Sequence, residues 1–360
     1  MATRFRAIFP DIRSQSWTVT IDDPDYVGAV VEVDCIGGFK LRHQGEGKGM
    51  YNYIMGSSLA FSIAVSATTR TALETFQVDL IDIPEGTLSI KVVRGSDLYW
   101  IGYIMPDLCK FDDKEDAFEF NVTAVDGLAK LKGVDYKDTS GLTDRPYTAL
   151  SFLEHILNCL NESGLSTLYF DPTTDIFLRT VVNWVDATMG APAAAKDPLR
   201  YSRVSGEVFA KRKETAAEDY DFFSCYEVLK QICIHWKARL LFSNGCYRFE
   251  QLDERRQDTF YERRWSSDMT LISSDNNMQY DRTVNQTINA ARLAGGQYGY
   301  LPALYKMKVK YDHKTYKNHA ANLLWKWHKD STENNPHVVS DIAYDSDSYI
   351  RVSGSIYVDV

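Results

Sequence analysis

LYWIGYIMPDLCKFDDKEDAFEFNVTAVDGLAKLK, Leu98–Lys132, alternates twice and then turns. Leu98–Ile104 reads as one strand, and Ala117–Val125 as another. In the second, Phe118, Phe120 and Val122 fall on one face, and Glu119, Asn121 and Thr123 on the other. A period of two is what a strand with a single buried face requires. Between them lies a charged loop with Asp112, Asp113, Glu115 and Asp116 beside Lys110 and Lys114. Asp126-Gly127-Leu128 then steps into a short amphipathic segment ending at Leu131. No part of this order is a catalytic signature.

Working outward, further strands are expected at Trp17–Ile21, Ala29–Cys35, Leu59–Val65, Phe76–Ile81 and Thr87–Val93. Many short strands separated by turn signals predict a barrel or sandwich over residues 1–135. Gly37 to Ser58 reads as a long polar, glycine-rich loop, and loops of that length usually carry function or disorder. Tyr51, Tyr53, Ile54 and Met55 within it can dock on a neighbouring subunit or fold back over the barrel end.

The pattern changes after Asp135. Over 136–300 the chain reads as a mixed α/β region. Leu150, Leu153, Ile156, Leu157 and Leu160 recur at helical spacing and predict a helix over 147–160. Ser224 with Glu227 fits a capping box, where side chains and free backbone amides satisfy each other. The apolar stripe Val228, Leu229, Ile232, Cys233 and Trp236 follows it. Asn244-Gly245 between two alternating segments is a strong hairpin signal, because both turn residues need positive φ. Residues 224–251 are therefore a helix and hairpin. Residues 301–360 read as a C-terminal β region, either a second barrel or the start of a β-sandwich, with alternation at Tyr305–Tyr311 and Tyr349–Val360. The fold class is α+β and mostly β.

The chain has 360 residues and a formal net charge of −9. That balance argues against sequence-independent DNA binding, which needs a basic face, while an acidic wall lets DNA pass without sticking. Cys35, Cys109, Cys159, Cys225, Cys233 and Cys246 form no C-x-x-C pair and read as reduced, buried thiols. No apolar run is long enough to span a membrane. The seven histidines show no metal-ligand spacing. Asp341, Asp345 and Asp347 lack the glycine and terminal Glu of an EF-hand. Gly45–Gly49 lacks the P-loop pattern. No cofactor, metal or catalytic residue is expected.

Gly56-Ser57-Ser58 leading into Leu59–Val65, Trp100-x-Gly102 with Pro106-Asp107, and Thr123-Ala124-x-Asp126-Gly127-Leu128-x-x-Leu131 occur in an order that resembles the first barrel of bacteriophage baseplate hub and tail-tip proteins. The closest likeness is to those of phages and prophages of Bacteroidetes-type hosts. Tyr226–Phe249 is similar to the helix and hairpin found later in the same proteins. The resemblance implies a tube-like β-barrel and a homotrimeric structural adaptor between the tail tube and distal tail parts. Its partners would be a tail tube or distal ring and central spike or fibre proteins. It also implies a channel that DNA crosses without specific binding, a place in the virion tail after assembly in the host cytoplasm, and no enzymatic activity. Tyr51, Tyr53, Ile54, Met55, Trp100 and Tyr103 are the interface candidates.

Two other classes stay open. A host-glycan-binding module would use Trp325, Trp327, Tyr344 and Tyr349 as a stacking platform. A cell-wall hydrolase would use acids such as Asp126 or Glu154.

Overall fold

The computed structural model describes residues 2–11, 14–45, 52–111, 118–141, 143–183, 197–212, 220–254, 260–278, 306–310 and 355–359. Contacts divide the chain into two units, Met1–Arg282 and Thr283–Val360. The protein is mostly β, as the alternation predicts.

The first unit opens with β1 (Ala2–Pro10), β2 (Ser16–Asp23), β3 (Val31–Glu32), β4 (Asp34–Gly45) and β5 (Ile54–Val65). Helix α1 (Arg70–Asp82) follows, then β6 (Ser89–Arg94), β7 (Asp97–Ile104), β8 (Lys110–Phe111) and β9 (Phe118–Val125). These strands hydrogen-bond in the order β5-β9-β7-β6-β2-β1-β3, with β4 on the other side of β5 and β8 on β9. One residue, Val33, separates β3 from β4, and its amide donates to the Arg6 carbonyl at 2.9 Å. The continuous segment 31–45 thus meets β1 at its start and β5 further on. Phe5, Val19, Ile21, Ile63, Ile90, Val92 and Val122 are buried in the common core.

Three local expectations are corrected. Phe76–Ile81 is not a strand but part of α1. Leu73, Phe76 and Leu80 are its buried residues, a three- and four-residue spacing, while Val78 and Ile81 are 61% and 80% exposed. The alternation of Phe76, Val78 and Leu80 was a coincidence of apolar residues on opposite helix faces. Gly37–Ser58 is not one long loop. Its two ends are strand, paired from Phe39↔Phe61 to Gly45↔Met55, with a bulge at Gly37 and Gly38, both at positive φ. Without a side chain these two residues adopt that backbone at little cost. The helix expected over 147–160 begins instead at Phe152.

That later start has a local cause. Ala149–Ser151 (β10) pairs with Arg203–Ser205 (β12), and Ser151 then caps α2 (Phe152–Asn161). Ser151 Oγ accepts the Glu154 amide at 3.2 Å, and Glu154 returns the bond to the Ser151 amide at 2.6 Å. After α2 come α3 (Leu165–Tyr169), β11 (Leu178–Val181) and α4 (Pro198–Tyr201), the last two preceding β12. A small ribbon, β13 (Ala210–Arg212) with β14 (Tyr220–Phe222), leads to α5 (Cys225–Trp236).

The predicted helix and hairpin are present. α5 starts with a complete Ser224–Glu227 capping box. β15 (Ala238–Ser243) and β16 (Cys246–Gln251) pair antiparallel through Asn244 (φ 51) and Gly245 (φ 76). β17 (Phe260–Trp265) and β18 (Leu271–Met278) complete the sheet, which runs on as β5-β15-β16-β11-β17-β18. β15 joins β5 in parallel through Leu240↔Ile54 and Leu241↔Met55. Residues before and after 135 therefore share one sheet and one continuous apolar core. In the second unit β19 (Lys306–Lys310) pairs antiparallel with β20 (Ser355–Asp359).

Candidate functional site

One residue from each of the three barrel motifs that carried the resemblance meets the others in space. Ser57 sits on β5, Trp100 on β7, and Asp126 just past β9. The Asp126 carboxylate accepts the Ser57 amide, the Ser57 hydroxyl at 2.7 Å and the Leu128 amide at 3.2 Å. The Trp100 indole N–H donates to Ser57 Oγ at 2.9 Å. The Asp126 amide in turn donates to the Ser57 carbonyl at 3.0 Å. Trp100 is fully buried and Asp126 is 1% exposed. Burial pushes the Asp126 carboxyl up to about 6, against the pull of its hydrogen bonds from Ser57 and Leu128.

Two glycines make this packing possible. A Cβ on Gly127 would lie 2.7 Å from Ser163 Cβ, and one on Gly102 would lie 2.3 Å from the Val125 carbonyl oxygen. Trp100-x-Gly102 and Asp126-Gly127-Leu128 are thus each a polar or aromatic anchor with a glycine that lets the backbone close in. Nearby, the Tyr103 hydroxyl donates to the Ser163 carbonyl at 2.8 Å, and Lys130 Nζ lies over the Tyr103 ring at 4.8 Å. Burial pushes the Tyr103 hydroxyl up to about 12.

The six interface candidates fall in this neighbourhood, except that Tyr51 lies outside the described residues. Ile54, Trp100 and Tyr103 are buried within the chain. Tyr53 is 36% exposed, and its carbonyl accepts the Leu240 amide at 2.7 Å. Met55 is half-buried. Among the described members of the set, Tyr53 and Met55 are the ones with accessible surface.

The acids considered for hydrolysis do not converge. Asp126 is enclosed by backbone and Ser57, and Glu154 caps α2. Neither lies among the residues of the surface cavity described below. Among the described residues, no group of three or more metal-ligating side chains comes together. No described helix is long and apolar enough to cross a membrane. The six cysteines are unpaired, and burial raises the Cys233 and Cys246 thiols. Asp112, Asp113, Glu115 and Asp116, and the glycan-platform residues Trp325, Trp327, Tyr344 and Tyr349, lie outside the described residues.

Two surface features escaped the reading of the sequence, because both depend on α1 being a helix and 39–45 a strand. A cavity of about 500 Å³ lies between α1 and the turn Pro106–Leu108. β4 presents Lys40, Arg42 and His43 to solvent. An aromatic cluster also joins three strands: Trp17 packs edge-on to Phe39 at 5.2 Å and to Tyr99 at 4.9 Å.

No protein-family model matches the chain, and no curated protein matches it. Among solved structures it is similar to the 43 kDa tail protein of prophage MuSo2 from Shewanella oneidensis. That likeness has 11% sequence identity and a TM-score of 0.30, over 59% of this chain and 54% of the other. The chain thus spans about half the length of that tail protein.

Proposed function

We propose that this protein is a structural component of a phage tail, a hub or tail-tip adaptor that acts as a trimer between the tail tube and distal parts. The observation that carries the reading is the Ser57–Trp100–Asp126 cluster. The three separated motifs that resemble tail hubs are parts of one buried polar keystone that ties β5, β7 and β9. A structural role accounts for those residues without chemistry, since buried polar networks of this kind fix a unique arrangement of strands.

The strand pairing supports a tube-like barrel. The segment 31–45 borders both β1 and β5, which are the two ends of the run β5-β9-β7-β6-β2-β1. A sheet whose ends share one bordering segment has the connectivity of a cylinder, here leaving an edge along Phe39–Gly45. In a trimer the subunits would surround a passage for DNA, with Tyr53 and Met55 facing a neighbour. The net charge of −9 fits a wall that does not hold phosphate.

The test is quantitative mass spectrometry of purified particles, with electron microscopy of tails carrying a tag on this chain. The expected result is three copies per tail at the tube's distal end. Particles that lack the chain would overturn the reading.

A further inference from the structure

Two surfaces of this chain complement each other. The first is the cavity beside α1. Leu80, Ile81, Ile83, Pro106 and Phe120 line it, and the exposed acids Glu85 and Asp107 stand at its rim. Ile81 in this lining is 80% exposed, and Val78 and Leu108, on the same helix and the same turn, are 61% and 46% exposed. Single exposed apolar residues are ordinary on a protein surface, whereas a group of them around one cavity of mixed polar and apolar lining marks a contact site. Its acidic rim selects a cationic partner.

The second surface is β4. Among the described residues, Phe39–Gly45 pairs with β5 alone, so one side of this strand offers its backbone groups. Such an edge is a template for a further strand or an extended contact. Over Phe39–Gly45 its exposed charges are cationic, Lys40 and Arg42 with His43 beside them, on a chain whose net charge is −9, while the exposed acid Asp34 stands at the far end of β4. Ile36, at 41% exposure, adds an apolar anchor at its start. The cavity and β4 share no residue and no element.

We infer that the acid-rimmed groove beside α1 is the seat for the β4 edge of a second copy of this chain. This rests on the ring-forming reading above and names the contact that would close the ring. Lys40 and Arg42 of one copy face Glu85 and Asp107 of the next, and an apolar anchor enters the groove. The contact joins two different patches, so it is heterologous. Such a contact propagates around a cycle and does not stop at a symmetric pair. A specific interface needs roughly 800 Å² per partner. A contact of that size extends past the groove to the exposed apolar residues of α1 and along the seven residues of the strand edge.

The experiment is sedimentation velocity on the full chain over a concentration series, with circular dichroism confirming the fold of each variant. Ile81→Glu disables the groove, and Lys40→Glu/Arg42→Glu disables the edge. Each should weaken self-association at least about tenfold, since each places a charge where the partner offers apolar surface or a like charge. Mixing the two defective proteins leaves one working groove and one working edge, so it should give a two-chain complex and nothing larger. Combining Lys40→Glu/Arg42→Glu with Glu85→Lys/Asp107→Lys in one chain should restore assembly. Wild-type assembly that both defects leave unchanged, or a charge swap that restores nothing, overturns this contact and leaves the ring reading standing. A wild-type chain that stays monomeric at every concentration overturns both.

Discussion

Asp126 and Ser57 stand sixty-nine residues apart in the chain, and each satisfies the other's backbone and side chain. Ser57 gives its amide and its hydroxyl to the carboxylate, and its carbonyl receives the Asp126 amide. Trp100 completes the set. One buried acid thereby fixes where β9 ends relative to β5, and through Ser57 it holds Trp100, one of the two fully buried tryptophans among the described residues.

Asp126→Ala should destabilise the first unit by about 3 kcal/mol, because it leaves the Ser57 and Leu128 amides buried without an acceptor. Ser57→Ala removes the hydroxyl that joins Asp126 to Trp100 and leaves the buried indole N–H without its acceptor, and should cost about 2 kcal/mol. Urea unfolding followed by tryptophan fluorescence checks both.

Asp197 and Arg263 form an ion pair at 3.1 Å with both side chains essentially inaccessible to water. Asp197 also caps α4 by accepting the Arg200 amide at 2.9 Å. Removing one partner strands the other charge, so Asp197→Ala should cost about 3 to 5 kcal/mol. Replacing both with apolar residues should cost less than Asp197→Ala alone, as the same unfolding assay reports.

Stability should carry two opposed pH terms. Buried His155 accepts the Tyr136 hydroxyl at Nδ1 and donates from Nε2 to the Val204 carbonyl at 3.1 Å, which fixes the neutral ring. Burial holds its pKa below the ordinary 6.5. Its contribution is therefore full above 6.5 and is lost as pH falls through the lower folded value. Asp126 runs the other way. Its pKa rises from 3.8 to about 6, so its contribution is full below 3.8 and is lost as pH rises through about 6. Relative to wild type, His155→Gln should lose less stability at low pH than at neutral pH. Asp126→Asn should lose less at neutral pH than at pH about 4. Denaturation midpoints across that range give both differences, and their signs are the test.

Gly245 lies at φ 76, and a Cβ there would come within 2.2 Å of the Leu98 carbonyl oxygen. The hairpin turn therefore sits against β7 as well as reversing the chain. Gly245→Ala should cost more than about 1 kcal/mol, the usual cost of a left-handed position alone. Asn244→Gly should be close to neutral. Thermal unfolding of the pair separates the steric term from the turn term.

Much of this architecture is legible where the signal is local. The Ser224–Glu227 box, the Asn244-Gly245 turn and the alternation of Phe118–Val125 each state their structure within a few residues. Ser57, Trp100 and Asp126 are legible as motifs, but their meeting depends on strand pairing over long separations. β11 shows the same limit: four residues, Leu178–Val181, lie parallel to β16 and antiparallel to β17, and both partners come about seventy or more residues later. The sequence over α1 reads as a strand because Val78 and Ile81 are apolar yet exposed, which blurs the helical period. That departure from a clean amphipathic pattern marks the surface inferred to bind a second copy.

The function proposed for this chain requires assembly into a ring. Native mass spectrometry of the full recombinant protein tests it most directly. The expected result is a dominant species of three subunits of 41.0 kDa each. A single subunit persisting at every protein concentration, or a closed symmetric dimer, would contradict it.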